Sequence, residues 1–263
     1  MSTWILLRGL TREQGHWGAF VPLLQQALPA GDLVLTPDLP GNGKRHLQTS
    51  PTRVEDMVES VRADLLAQCH RPPYSVIAMS LGAMVTVAWA HAYPGELNRC
   101  VLINTSLRPF SPFWHRLQPG NYPIIMKLLL GQADAPSWER AIMAMTTRHP
   151  SDPEGTLGRW LDLRARHPVS TRNGLRQLWA ATQYRAPEQK PPVPMLILNS
   201  LGDQLVHPAC SAELAQRWQL PLLRHPTAGH DLPLDAAPWV VAQIQSWLAS
   251  PGHPTQAASN PGP

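Results

Sequence analysis

Three residues in this sequence are of the types that nucleophilic catalysis requires: a serine, a histidine and an aspartate. Ser80 lies in Ala78-Met79-Ser80-Leu81-Gly82, with small residues two positions before and two after it. A tight strand-to-helix turn demands that spacing. Such a turn pushes the hydroxyl outward and points the amino end of the next helix, with its free N–H groups, at the reacting centre. Near neutral pH a serine hydroxyl is a poor nucleophile and needs an imidazole base, itself oriented by a carboxylate. Asp203 follows the apolar run Met195-Leu196-Ile197-Leu198-Asn199, and His230 ends the loop that follows Leu220 to His225. Singly, each has a plainer role: helix N-cap for Ser80, turn residue for Asp203, loop histidine among eleven for His230. Their joint placement, each just beyond an apolar run, favours the catalytic role. The backbone N–H groups of Leu81 and Leu10 supply donors for a developing oxyanion, Gly9 letting the backbone approach closely. Asp231 is read as a structural or capping group because neighbouring side chains diverge, and His207 and His225 as loop or surface histidines. Neither H-E-x-x-H nor a cysteine pair points to a metal, and no cofactor is expected.

Such side chains must be held by a frame. Short apolar runs alternate with longer amphipathic ones, which predicts a parallel sheet flanked by helices. The expected strands are Trp4–Leu7, Leu33–Thr36, Ser75–Met79, Arg99–Ile103, Pro194–Asn199 and Leu220–His225. Most are continuous apolar stretches, as suits strands covered on both faces. Between Arg53 and Ala67 the apolar residues recur at helical spacing with charges opposite, predicting a surface helix. Leu81 to Ala92 is apolar nearly all round and should be a buried helix. A last helix is expected from Asp235, as N-cap, to about Leu248.

From 105 to 191 the alternation stops. This stretch reads as helices and Pro-broken loops, with Trp114, Met126, Trp138, Met143, Trp160, Leu163 and Trp179 as its large apolar residues. It is too long for a connection and is expected to be a cap or lid, ordinary helical packing without gating being the plainer alternative. The core is then 1–104 and 192–250. The tail 251–263 has almost nothing to bury and is expected to be disordered. The 263 residues are 43% apolar, but no run is long enough to span a bilayer. The start has no basic n-region and reads as a strand. Three widely spaced cysteines suit reduced thiols in a cytoplasm. Net charge is +4 and the 22 Lys and Arg are scattered, so neither a nucleic-acid nor a membrane partner is expected.

Four segments carry a family resemblance: R-G-L at Arg8–Leu10, D-L-P-G-N-G at Asp38–Gly43, A-M-S-L-G at Ala78–Gly82 and G-H-D-L-P-L-D at Gly229–Asp235. Together they resemble the α/β-hydrolase superfamily, in its small esterase- and lipase-like branch with a cap domain. The resemblance implies an α/β fold with a mostly parallel sheet of about six strands and an α-helical cap. It implies Ser80 as nucleophile, His230 as general base then acid, Asp203 as orienting carboxylate, and Leu10 and Leu81 as oxyanion donors. The chain order Ser, Asp, His is the one this fold uses. Asp38 is expected to fix its own loop. Where the family usually has His-Gly, this chain has Arg8-Gly9. That arginine either pairs with a nearby carboxylate, the reading preferred here, or attracts an anionic substrate. The implied activity is hydrolysis of a small ester-type substrate, with Trp114, Trp138 and Met143 supplying an apolar wall. Thioesterases and carbon–carbon bond hydrolases share these motifs. A non-catalytic ligand-binding relative is the alternative of a different class, but such proteins often lose a triad member and all three are present here. Aspartate-nucleophile branches do not fit a serine at position 80.

Overall fold

A computed structural model describes residues 1–129 and 134–250, so the tail expectation for 251–263 lies outside the described residues. Six strands form one sheet: β1 Thr3–Leu7, β2 Leu33–Leu35, β3 Tyr74–Met79, β4 Leu97–Ile103, β5 Met195–Ser200 and β6 Leu222–His225. Their order is β2-β1-β3-β4-β5-β6, and all five ladders are parallel. β3 and β5 are buried at every residue, as their continuous apolar runs require. Because the strands run the same way, the loops after Leu7, Met79, Ile103, Ser200 and His225 gather along one edge, where open α/β sheets bind ligands.

Helices cover both faces. The chain contributes α1 Phe20–Ala27, α2 Val54–Ala67, α3 Leu81–Ala92, α4 Phe113–Arg116, α5 Tyr122–Leu129, α6 Ala135–Thr146, α7 Pro153–Arg166, α8 Thr171–Gln183, α9 Ala209–Trp218, α10 Leu232–Asp235 and α11 Ala237–Ala249. On one face Phe20 and Leu24 of α1 and Val240 and Ile244 of α11 pack on Leu6, Ile77 and Leu196. On the other, Met57 and Val61 of α2, Trp89 of α3 and Leu214 of α9 pack on Ile5, Val76 and Ile197. In α3 every residue from Leu81 to Ala90 is buried, which its all-round apolar character foretold.

The last helix begins later than expected. Asp235 closes α10 instead of capping α11. Its carboxylate is occupied elsewhere, accepting the backbone N–H of Gly229 at 2.7 Å and of Arg148 at 2.8 Å. It thereby ties the His230 loop to the end of α6.

The block between β4 and β5 holds α4 to α8. Two buried side chains of α8 anchor it to the core. Asn173 accepts from Ser50 N at 2.9 Å, and Gln177 accepts from Thr11 N at 2.8 Å while donating to Asn42 Oδ1 at 2.7 Å. The D-L-P-G-N-G loop is thus pinned from above by α8 and from within by Asp38. The Asp38 carboxylate accepts from Gln14 N at 2.7 Å and Lys44 N at 3.0 Å, and its burial raises its pKa.

Candidate active site

Ser80 sits between β3 and α3 with φ 53° and ψ −120°, a left-handed-side backbone that a serine adopts only where the surroundings enforce it. The tightness shows at Gly82, where a Cβ would run into the carbonyl oxygen of Leu7 and lie 2.7 Å from that of Arg8. It shows again at Gly9, where a Cβ would lie 3.1 Å from Ser80 Cβ. Ser80 is partly exposed, and its side chain makes no capping hydrogen bond to α3, so the N-cap role does not account for it.

Asp203 and His230 are brought together by the loops after β5 and β6. His230 Nδ1 lies 2.7 Å from Asp203 Oδ2, and both residues are only 4% exposed. The other carboxylate oxygen accepts two backbone N–H groups, Leu205 at 2.8 Å and Val206 at 2.9 Å. An aspartate fixed at both oxygens holds its partner ring in one orientation. With Nδ1 facing the carboxylate, Nε2 is the imidazole atom left to act as a base.

Ser80 and His230 line the same cavity of about 780 Å³, enclosed between the sheet edge and the α4–α8 block. Its size falls within the roughly 300–1,000 Å³ common for small-molecule sites. Leu10 and Leu81 line it as well. Of the three residues expected to form an apolar wall, only Trp138 lines it. Trp114 is 50% exposed and stacks edge-on against Phe113, which takes the lining position in α4. Met143 is displaced by helical phase: α6 presents Trp138, Ile142 and Met145 to the cavity, and Met143 falls off that stripe. The recurrence at 138, 142 and 145 was the signal that would have selected these residues.

Sequence reasoning missed one support of the site and foresaw a second without naming its partner. Asn104, buried at φ 45°, donates through Nδ2 to the His230 carbonyl at 2.8 Å and to Ser200 Oγ at 2.9 Å, and accepts from Ser200 N at 2.8 Å. One amide thus joins the ends of β4 and β5 to the histidine loop. Thr105 Oγ1 donates to the carbonyl of Ser80 at 3.2 Å.

The second is an ionic floor. Arg8 is 5% exposed and makes a two-pronged pair with Asp231, Nη2 to Oδ2 at 2.6 Å and Nη1 to Oδ1 at 3.1 Å, with its guanidinium over the Trp17 ring. Of the two readings of Arg8, the ion pair is the one formed, and Asp231 is structural. Farther out, Glu139 accepts Arg12 at 2.8 Å and Arg164 at 3.3 Å. His16 is held well below the ordinary histidine pKa by burial and by the Arg12 and Arg8 guanidiniums, so it stays neutral. Glu13, raised chiefly by its burial, meets His167 at 2.8 Å.

A sheet wound this way, with a serine turn and a histidine–carboxylate pair on its ligand edge, defines the α/β-hydrolase fold class. The family model for the alpha/beta hydrolase family matches residues 4–243, and the chain belongs to that family. Among solved structures it is similar to an enol-lactonase from Burkholderia xenovorans LB400, at 16% identity and a TM-score of 0.77, covering 95% of this chain and 92% of that one. A thermophilic esterase from Thermogutta terrifontis matches at 18% identity and a TM-score of 0.72, covering 94% and 89%. A hydrolase from Pseudomonas aeruginosa PA01 matches at 19% identity and a TM-score of 0.74, covering 95% and 90%. No curated protein matches the chain. Among the described residues, no helix is long and apolar enough to cross a membrane.

Proposed function

We propose that this protein is a serine hydrolase that cleaves an ester-type bond in a small molecule through an acyl-enzyme on Ser80. In this reading His230 Nε2 takes the proton from Ser80 Oγ as the hydroxyl attacks the substrate carbonyl. It then returns the proton to the leaving alcohol, and water repeats the sequence to release the acid. Asp203 fixes the imidazole tautomer and stabilises the imidazolium that forms. The N–H groups of Leu10 and Leu81 receive the oxyanion. The α4–α8 block acts as the cap, its Trp138, Ile142 and Met145 forming the apolar wall. The three free cysteines fit a reducing compartment, the cytoplasm.

The observation that carries the reading is the buried 2.7 Å contact between His230 and Asp203 opening on the cavity that Ser80 also lines. The enol-lactonase and esterase among the solved relatives are both named for ester-type bonds, which supports this bond class. A panel of p-nitrophenyl and thioester substrates of graded acyl length tests it. Turnover of esters abolished by Ser80→Ala, and lowered about 10³- to 10⁴-fold by Asp203→Asn in a folded protein, is the expected result. Turnover that survives Ser80→Ala rules the reading out.

A further inference from the structure

The charges lining the cavity do not balance. Three carboxylates line it, and each is already engaged: Asp231 by Arg8, Glu139 by Arg12 and Arg164, Glu13 by His167. Three more arginines, Arg108, Arg116 and Arg185, line the same cavity, and no carboxylate pairs with any of them among the described residues. Residues 130–133 and 251–263 contain no aspartate or glutamate that could supply one.

These three arginines are brought together by the fold. Arg108 and Arg185 are bridged through their backbones, the Arg108 carbonyl accepting Ala186 N at 2.7 Å. Arg116 Nη2 donates to the Ala181 carbonyl at 2.6 Å, and Arg108 Nη1 to the Thr182 carbonyl at 3.1 Å. Each guanidinium has five N–H donors, so capping the end of α8 uses only part of what each offers. Arg116 Nε is buried and has no acceptor among the described residues. Burial, reinforced by the nearby Arg108, pushes the Arg116 pKa down to about 10. A guanidinium so destabilised lacks the counter-charge its surroundings call for, and a bound anion would supply it.

We propose that Arg116, flanked by Arg108 and Arg185, forms a recognition site for an anionic oxyacid group, carboxylate or phosphate, carried by the substrate at a distance from the scissile bond. The proposal rests on the hydrolase reading above and narrows its substrate class. The planar fork of arginine matches either oxyacid, and the apolar wall suits the chain between the anion and the ester. Arg8 takes no part, since Asp231 already neutralises it.

The test compares p-nitrophenyl esters of matched chain length ending in methyl, carboxylate or phosphonate. In the wild-type protein kcat/KM should favour one of the charged series over the methyl series by about tenfold or more. The larger of the two charged responses names the oxyacid. Rising salt should erode this preference. Arg116→Met should bring the charged-to-neutral ratio close to one, and the double variant Arg108→Gln/Arg185→Gln, at two exposed positions, should lower it. A merely structural role would depress both substrates together and leave the ratio unchanged. A wild-type protein that hydrolyses the methyl series at least as well overturns the proposal while leaving the hydrolase reading intact. So does a preference that survives both variants. Absence of any ester turnover, together with absence of fluorophosphonate labelling in folded protein, overturns both.

Discussion

Replacing Asp231 by asparagine removes the carboxylate that pairs with Arg8 while keeping nearly the same shape. The guanidinium then remains 5% exposed, with its counter-charge gone and its Nε already without an acceptor. Breaking a buried pair from one side costs about 3–5 kcal/mol, because the surviving charge is stranded in a poorly solvated place. For a domain of this size each kcal/mol is worth about 2–4 °C of Tm, so Asp231→Asn should melt about 6–20 °C lower. Thermal and denaturant unfolding followed by circular dichroism measure the loss. The double variant Arg8→Met/Asp231→Leu separates the cause. With both charges removed and apolar groups against Trp17, most of the lost stability should return. A loss under about 1 kcal/mol in Asp231→Asn would mean the pair behaves like a solvated surface bridge. A double variant as unstable as the single would refute the stranded-charge explanation.

Gly82→Ala should cost at least about 1–3 kcal/mol and most of the activity, because its Cβ would press on the carbonyls of Leu7 and Arg8, which are backbone atoms that cannot swing away. Chemical denaturation and ester turnover check this. His16 makes stability depend on pH in a definite direction. Unfolded, it takes up a proton as pH falls through about 6.5; folded and buried, it refuses that proton until much lower pH. Its contribution is therefore intact above pH 6.5 and is lost below it, by up to about 1.4 kcal/mol per pH unit. His16→Gln should flatten the fall in unfolding free energy between neutral and mildly acidic pH, and an unchanged slope would contradict the assignment. The raised carboxyls of Glu13 and Asp38 act with the opposite sign and are present in both proteins.

Much of this architecture is legible in the sequence because its signals are local. Apolar runs located all six strands to within a few residues, most plainly the central β3 and β5, since a strand covered on both faces has no polar side to show. The small residues around Ser80 reported a tight turn that the backbone indeed makes, at φ 53°. What the sequence hid are pairings between distant segments. Arg8 and Asp231 stand 223 positions apart, and Asn104 reaches the carbonyl of His230 across 126. Polar residues of that kind look like ordinary loop residues until the fold closes. Apolar character alone also misled: Trp114 and Met143 are large and lie in the right block, but the phase of α6 and the exposure of α4 turn them from the cavity. Asp235 had a cap's position and a different task, since three backbone N–H groups, those of Gly229, Arg148 and His149, converge on its carboxylate.

The proposed chemistry requires that the hydroxyl at position 80 be the group that attacks. Reaction of the intact protein with a fluorophosphonate, followed by peptide mass mapping, reads this directly. The expected result is a single adduct on the peptide bearing Ser80, formed far more slowly in His230→Ala. An adduct on another residue, or none in protein shown to be folded, would contradict it.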